Sequence, residues 1–371
     1  NQEKEVELLQ DFTNLEFKKI KSKQKGNFTT PILFIIFNRP DTTQKVFNRI
    51  KQIKPKYLYV AADGPRLDRL KESVKCQQAR DIIKQIDWEC ELRTLYRKVN
   101  FGCGNSVYRA ITWFFSNVKE GVIIEDDCLP DISFFKYCKT MLKKYRNDNR
   151  ITHINGTSFV KKPNEYKDSY YYSKFFHVWG WATWRRAWDK YDFNISTYPK
   201  FKNQNLISSL FNNKSIQQFW LSNFDSVYTH QLDTWDYQWV YSNFTNHSLA
   251  IMPFKNLVSN IGFDEDATHT TKDTNKIADR PTSNISQINH PTIVIPNEGF
   301  DKLIYTTSIG LELEDQKNQN MENTTQNQNS QIHFTTTELK IIKQIRKIKH
   351  KIIPQGSARK KIFDKLKKVF Q

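Results

Sequence analysis

The sequence predicts an α/β protein whose mostly parallel sheet is doubly wound, with helices on both faces. Short apolar runs rich in β-branched residues alternate with amphipathic segments of helical period in the first half of the chain, as in strands joined by crossover helices. The runs at residues 31–37 and 121–124 are apolar throughout, which is typical of strands buried on both faces. Polar residues follow these runs directly, at the strand ends where open α/β sheets bind ligands.

The predicted elements follow one another in this alternating order. Strands are predicted at residues 31–37, 57–62, 91–96, 121–124 and 151–154. Helices are predicted at residues 41–50, 71–85, 106–114, 134–145, 217–230 and 236–243, the first of them capped by Asp41. Val6, Leu9 and Phe12 share one side of a charged amphipathic helix that we expect within residues 1–26.

This order predicts five segments. They are an N-terminal helical extension (1–26), two halves of an α/β domain (27–150 and 151–314), a flexible linker rich in Gln and Asn (315–334) and a pair of basic amphipathic helices (335–371).

The net charge of +18 implies an anionic partner, such as nucleic acid, a membrane surface or a phosphorylated substrate. The position of the basic residues along the chain indicates which of these partners to expect. From Glu338 onward, 12 Lys or Arg stand against two acids. Basic helices of this kind bind the surface of anionic membranes, although a terminal helix packed on its own domain or on a partner helix has the same pattern. The body is only mildly basic, which argues against nucleic acid. We therefore expect a cytoplasmic protein associated peripherally with the inner face of the membrane.

Cysteine usage and hydropathy agree with that location. The five cysteines are odd in number and lack Cys-x-x-Cys spacing, which argues against a disulfide scaffold or a cysteine zinc site. No apolar stretch reaches the roughly 18 residues that a membrane span needs.

Three adjacent acids, Glu125, Asp126 and Asp127, follow the apolar run at 121–124. Such carboxylates repel one another, so ionising all three is unfavourable in free energy unless a cation lies nearby. Mn²⁺ or Mg²⁺ takes carboxylate oxygens and keeps positions open for phosphate. The cluster predicts a metal–diphosphate site, and a solvated acidic turn is the alternative.

Other polar residues at predicted element ends allow two interpretations each. Arg39 can neutralise a diphosphate or pair with Asp41, and Asp63 can be a turn residue. Asp236 can be a helix N-terminal acid or a general base, with Asp233 as its nearest competitor. Two further sets of residues also allow two interpretations. The loop glycines can bind phosphate through their backbone N–H groups or form a plain turn; they are Gly102 and Gly104. The tryptophans can pack in the core or form a platform for sugar rings; they are Trp179, Trp181, Trp184 and Trp188.

The order of these motifs resembles GT-A glycosyltransferases over roughly residues 30–270, in particular the N-acetylglucosaminyltransferase I-like family and its bacterial sugar-nucleotide transferase relatives. The motifs that carry the resemblance are Asn38-Arg39-Pro40, Asp63-Gly64, the loop 100–106, Glu125-Asp126-Asp127, Trp179-Gly180-Trp181 and Trp235-Asp236. The resemblance implies a GT-A, Rossmann-like fold and a UDP-sugar donor. The loop after Asn100 and the residues 181–183 depart from the family, so the donor sugar and the acceptor do not carry over.

The resemblance also implies that residues 27–150 are the nucleotide-sugar-binding half and residues 151–314 the acceptor-binding half, and it implies a role for each matching residue. Asp127 would hold the Mn²⁺ or Mg²⁺ that bridges the diphosphate, with His269 as a candidate further ligand, ahead of His177. Asp236 would be the base of an inverting reaction. The remaining donor contacts would be Arg39 to the diphosphate, Asp63 to the uracil N3–H, Glu125 to the donor sugar and Asp126 to the ribose.

Together these patterns predict a metal-dependent, inverting glycosyltransferase, a hexosyl- or N-acetylhexosaminyltransferase. It would transfer a sugar from a nucleotide-diphosphate donor to a hydroxyl of a glycan or lipid-linked acceptor in bacterial surface polysaccharide assembly. Two alternatives stay open. One is a sugar-nucleotide pyrophosphorylase, which shares the architecture. The other is a non-catalytic, membrane-associated glycan-binding protein.

Overall fold

The computed structural model describes residues 15–263 and 277–313 of the chain. Three predictions fall outside these residues: most of the N-terminal extension, the metal ligand His269, and the linker with the basic tail. Among the described residues, no helix has the length and apolarity needed to cross a bilayer.

The described strands form one large sheet and one small ribbon. The large sheet has nine strands in the order β1-β4-β3-β2-β5-β9-β7-β10-β8, and β6 pairs with β11 beside it. The strands are β1 Leu15–Ile20, β2 Ile32–Ile36, β3 Tyr57–Ala62, β4 Cys90–Tyr96, β5 Glu120–Glu125, β6 Cys128–Pro130, β7 Ile151–Asn155, β8 Tyr170–Ser173, β9 Trp181–Trp184, β10 Leu249–Pro253 and β11 Val258–Asn260.

The helices lie between these strands. They are α1 Pro40–Ile53, α2 Glu72–Ile82, α3 Cys103–Asn117, α4 Ile132–Lys144, α5 Arg185–Trp188, α6 Tyr198–Asn203, α7 Lys214–Tyr228, α8 Asp236–Thr245 and α9 Glu298–Ile304. Short 3-10 turns cover Ile83–Gln85 and Leu206–Ser209, and a π turn, Tyr305–Ile309, follows α9.

The large sheet is mostly parallel. The ladders between β2, β3, β4 and β5 and between β7 and β10 are parallel, whereas β1, β8 and β9 run antiparallel to their neighbours. β9 lies between β5 and β7, so it joins the two halves of the sheet.

Both faces of the sheet are covered by helices. Leu33 and Ile35 of β2 belong to one apolar cluster, which also contains the inner face of α3. The alternate residues Ile32, Phe34 and Ile36 belong to a second cluster, formed with α1, α2 and α4. This two-sided burial explains why the run at 31–37 is apolar throughout. It confirms the predicted α/β class with a doubly wound, Rossmann-like sheet of the kind that the GT-A resemblance implies.

The edges of the sheet depart from the sequence prediction. Residues Leu15–Ile20, expected to be helical, form the edge strand β1 antiparallel to β4, so this part of the helix prediction is wrong. The alternation of the apolar residues Leu15 and Phe17 with the charged residues Glu16 and Lys18 has the period of a strand. At the opposite edge, β8 is covered by the segment before α9, where Asn297 donates to the carbonyl of Tyr172.

Candidate active site

A cavity of about 220 Å³ lies at the carboxyl ends of β2, β3 and β5. Its walls are the loops that follow these strands and the start of α3. Parallel neighbouring strands end at the same edge of a sheet, so their terminal residues come together. The residues that were predicted to contact the donor or its metal from this half all line the cavity: Arg39, Asp63, Glu125, Asp126 and Asp127.

Arg39 and Asp127 form an ion pair at the floor of this cavity. Arg39 Nη1 lies 3.1 Å from Asp127 Oδ2, and the two side chains are 13% and 18% exposed. Gly262 packs directly on the pair, because a Cβ at this position would lie 2.4 Å from both charged atoms. The structure therefore pairs Arg39 with Asp127, a partner that the sequence analysis did not consider, and contact with a diphosphate stays a prediction.

The other two acids of the cluster are difficult to ionise. Burial, followed by the negative charges of Asp127, Asp126 and Asp236, raises the pKa of Glu125 well above its ordinary value. Burial raises the pKa of Asp126 to about 7, although Arg39 and the backbone N–H of Phe37 act in the opposite direction. The cluster thus holds more carboxyl groups than the nearby positive charge can keep ionised.

Asp63 has a structural task at the end of β3. Its carboxylate accepts hydrogen bonds from the backbone N–H of Gly64 and Phe101 and from the Nδ2 of Asn100, at 2.9–3.1 Å. Asp63 therefore fastens the loop that precedes α3 to the end of β3. Contact with a nucleobase stays a prediction.

Asp233 caps helix α3 across the chain. Its two carboxylate oxygens accept from the backbone N–H groups of Cys103 and Gly104 at 2.9 and 3.0 Å. A Cβ at Gly102 or Gly104 would collide with Asp233. The two glycines therefore allow this carboxylate to approach. Of the N–H groups that were considered for phosphate, that of Gly104 already donates to Asp233 and that of Gly102 to Asn100 Oδ1.

Asp236 is the first residue of α8 and is only half-buried. Its Oδ1 accepts from the hydroxyl of Thr234 and from the backbone N–H of Tyr237, which fix the orientation of the carboxylate. Its Oδ2 has no hydrogen-bond partner among the described residues. Of the two acids considered as a base, Asp236 is thus the one whose carboxylate keeps an oxygen unused.

Sequence reasoning missed a second cation of the cavity, Arg66. Its guanidinium is held by Glu72, which is only 5% exposed and also accepts from Asn38 Nδ2. Although burial opposes ionisation, the hydrogen bonds from Arg66 lower the pKa of Glu72. The guanidinium lies over the ring of Phe37, 5.5 Å from its centroid. No local sequence pattern marks this arrangement, because it depends on a glutamate that becomes buried only in the folded protein.

The donor set can be tested for its fit to a divalent cation. Among residues 15–263 and 277–313, no three His, Cys, Asp or Glu side chains are grouped to hold a metal. The acids around Asp127 are nevertheless short of positive charge. This combination fits a cation held by Asp127 and completed by oxygens of a substrate, as is usual for Mg²⁺ bound with phosphates.

The tryptophans of the second half divide into two kinds. Trp181, Trp184 and Trp188 are almost completely buried, which agrees with core packing. Trp179 is half-buried, and its ring packs edge-on against Phe263, with 5.6 Å between the ring centroids. Phe263 follows the glycine that packs on the Arg39–Asp127 pair, so Trp179 contacts the residue next to that glycine.

The histidines nearby are neutral and not grouped with the acids. Burial lowers the pKa of His177 to about 3, and its ring packs against those of Phe159 and Trp179. Burial also lowers the pKa of His153 to about 4, and its Nδ1 accepts from Trp239 Nε1.

Comparison with known proteins adds little to this description. No protein-family model matches the sequence, and no curated protein matches it. A structure of S. aureus TarS 1-349 shares 8% identity at a TM-score of 0.29, over 44% of this chain and 49% of that one. This chain thus spans about half of that TarS chain.

A second solved structure matches at a lower level. It is a Bacillus anthracis protein described as a glucose-1-phosphate thymidylyltransferase in complex with a sucrose, with 10% identity at a TM-score of 0.23, over 43% of this chain and 73% of that one. At these TM-scores neither structure bears on the activity, and the family suggested by the motifs stays a prediction.

Proposed function

We propose that this chain is a glycosyltransferase that moves a sugar from a nucleotide-diphosphate donor to an acceptor hydroxyl with inversion. The observation that carries the proposal is the cavity at the carboxyl ends of β2, β3 and β5, in which Arg39, Arg66 and the acid cluster converge. The half-buried Asp236 follows Trp235, which stacks on the first residue of β9. The cavity and this acid supply the groups that glycosyl transfer needs.

The leaving diphosphate must be stabilised as negative charge develops on it. Arg39 is positioned for this by Asp127, and Arg66 by Glu72, so both guanidinium groups are oriented before a substrate arrives. Preorganised cations of this kind stabilise charge without reorganisation during the reaction. The two guanidinium groups favour a phosphate-bearing ligand at this end of the cavity, whereas the carboxylates beside them require that a cation accompany it.

A divalent cation belongs to the proposal. Mn²⁺ or Mg²⁺ bound with the donor would act as a Lewis acid on the leaving diphosphate. Asp127 would hold it, with Glu125 and Asp126 close by as further negative charge. The pKa values of Glu125 and Asp126 would then fall, because a nearby cation favours the ionised carboxylates. The candidate ligand His269 lies outside the described residues.

The acceptor hydroxyl must lose a proton as it attacks the anomeric carbon. The Asp236 carboxylate is held by Thr234 and Tyr237 through one oxygen, so the other oxygen can accept this proton. The new bond forms from the acceptor oxygen to the anomeric carbon, and the bond to the leaving diphosphate breaks on the opposite face. Trp179 offers an aromatic face for the acceptor sugar.

The donor nucleotide, its sugar and the acceptor are proposed only as classes: a UDP-sugar and a glycan or lipid-linked hydroxyl of a bacterial surface polysaccharide. The basic helices at 335–371, which lie outside the described residues, would hold the enzyme at an anionic membrane.

A thermal-shift panel of nucleotides and sugar nucleotides, with and without Mn²⁺, tests the proposal. We expect a nucleoside diphosphate or its sugar conjugate to raise the Tm, and Mn²⁺ to increase that shift. Product analysis with the stabilising donor then separates the alternatives. Release of a nucleoside diphosphate supports glycosyl transfer, and release of pyrophosphate from a nucleoside triphosphate supports the pyrophosphorylase. Absence of any nucleotide binding would contradict both.

A further inference from the structure

The loop between β3 and α2 exposes an unusual amount of apolar surface. Leu67 and Leu70 are each 96% exposed, so neither side chain packs on the described fold. Val74 at the start of α2 and Val99 before α3 are 55% and 49% exposed. Val99 lies beside the loop, because a Cβ at Gly64 would contact its backbone at 2.3 Å. We call these four residues the leucine patch.

Positive charge surrounds the leucine patch. Arg69, Lys71, Lys75 and Lys98 are exposed around it, whereas Asp68 is the exposed acid of this loop. The neighbouring Glu72 is buried and bound to Arg66. The exposed surface of this part of the molecule is therefore cationic and apolar at the same time.

We propose that the leucine patch docks on the surface of an anionic lipid bilayer. Protruding leucines flanked by lysine and arginine suit the boundary between headgroups and acyl chains, where apolar side chains insert and cations meet phosphates. A protein partner would favour aromatic anchors and a pocket, and this patch presents neither. The cationic residues around the leucine patch thus favour an anionic bilayer as its partner.

The position of the patch gives the docking a consequence. Arg66 lines the cavity, and Leu67 is the next residue. A bilayer that receives the leucine patch therefore lies next to a residue that lines the cavity. The inference concerns this surface alone and holds whatever group the enzyme transfers.

Co-sedimentation of the full chain with vesicles tests the inference. Vesicles of phosphatidylcholine alone are compared with vesicles of phosphatidylcholine and phosphatidylglycerol in equal parts. We expect the double variant Leu67→Ser/Leu70→Ser to lose roughly tenfold or more in affinity for the anionic vesicles. Arg69→Gln should lose roughly fivefold at low salt and less at high salt.

Ile293→Ser/Ile295→Ser is the matched control, since these isoleucines are 66% and 65% exposed on another segment. Its affinity should stay within about twofold of the parent. The basic tail is present in every variant, so differences between variants report on the patch. An unchanged Tm for all variants would exclude unfolding as the cause.

A second measurement locates the contact. Leu67→Cys carrying an environment-sensitive dye should shift its emission to shorter wavelength on anionic vesicles, and Ile293→Cys with the same dye should not. Three outcomes would each overturn the inference: equal vesicle affinity of the two serine variants, no preference for anionic over neutral vesicles, or no emission shift at position 67 when the protein is bound. A patch that instead covers another segment of the chain or a protein partner would give these outcomes.

Discussion

The acidic cavity and the aromatic core of the second half use their buried polar groups in opposite ways. In the cavity, Glu125 and Asp126 have raised pKa values, and the carboxylate of Asp127 depends on Arg39 for compensation. In the aromatic core, His153 is neutral, stacks on Trp181 at 4.9 Å and accepts from Trp239. The cavity holds carboxyl groups whose ionisation requires additional positive charge, and the aromatic core holds a histidine that is neutral.

This difference indicates which of the two regions can gain free energy by binding a ligand. A desolvated carboxylate cluster is unfavourable until a cation or a donor group arrives, so a ligand gains from relieving it. A packed aromatic cluster gains nothing from a ligand, but it fixes the residues next to it. Trp235 stacks on Trp181 at 5.7 Å, so the core holds the start of α8 and with it Asp236. Substitutions in the cavity should therefore change activity, and substitutions in the core should change stability.

The largest effect is expected at Asp236, where the two regions meet. Asp236→Asn removes the proton acceptor while keeping the shape and the Oδ1 contacts, so turnover should fall roughly 10²–10⁴-fold with donor affinity unchanged. Single-turnover transfer and donor binding by calorimetry measure the two effects separately.

Asp233→Asn is the matched control for Asp236→Asn, because Asp233 caps α3. It should lower the free energy of unfolding by about 1 kcal/mol and turnover by less than tenfold. A larger loss of turnover in this control than in Asp236→Asn would move the base to Asp233.

Asp127→Asn should have the next largest effect. It leaves Arg39 without its ion pair and removes the cavity's cation ligand, so donor hydrolysis stimulated by Mn²⁺ should fall roughly 10²-fold or more. The exposed Asp41→Asn, at the start of α1, is the control and should retain the parent rate. If Asp127→Asn kept its Mn²⁺ stimulation, the metal role of Asp127 would be excluded.

A smaller effect, on stability, is expected at the edge of the aromatic core. Burial raises the pKa of Asp301 to about 6 although Ser173 and the backbone N–H of Lys174 donate to it. The folded state therefore binds the proton more tightly than the unfolded state. The contribution of Asp301 to stability is greatest below its ordinary pKa of 3.8 and declines as the pH rises through its folded-state pKa of about 6.

The decline due to Asp301 should amount to about 2–3 kcal/mol. Asp301→Asn should flatten it, as measured by urea unfolding at a series of pH values. Activity per folded molecule should not change. A variant with the parent's pH profile would show that Asp301 titrates normally.

The smallest effect compares two buried indoles. Trp239 Nε1 donates to His153, whereas the Nε1 of the buried Trp181 has no acceptor among the described residues. Trp239→Phe should therefore cost about 1–2 kcal/mol more unfolding free energy than Trp181→Phe, because it leaves the His153 acceptor unpaired. Urea denaturation measures both variants. Equal losses would mean that the His153 bond contributes nothing net.

The sequence was sufficient for the parallel part of the fold. Apolar runs buried on both faces carry a strong local signal, and the strand at Tyr57–Ala62 was predicted with its observed bounds. In the second half, β7 was predicted, whereas β8, β9, β10 and β11 were missed, as was the edge strand β1 of the first half. β8, β9 and β11 have only three or four residues each, and their pairing depends on distant segments that leave no local pattern.

The candidate site was predictable where acids follow a strand directly. The residues at the ends of β2, β3 and β5 meet because parallel neighbours end at one edge. Arg66 and the capping role of Asp233 were not predictable in the same way. The first depends on a glutamate buried under a loop, and the second on contact between residues that are 129 and 130 positions apart.

The position of β9 also bears on how the chain is made. β9 fills the gap between β5 and β7 although it follows both in sequence, so the sheet cannot close until Trp184 has been synthesised. A nascent chain that ends before this residue carries β5 with one unpaired edge. The mutually repelling acids Glu125, Asp126 and Asp127 lie at the end of this strand. Until β9 emerges from the ribosome, that edge is open to premature association with other chains.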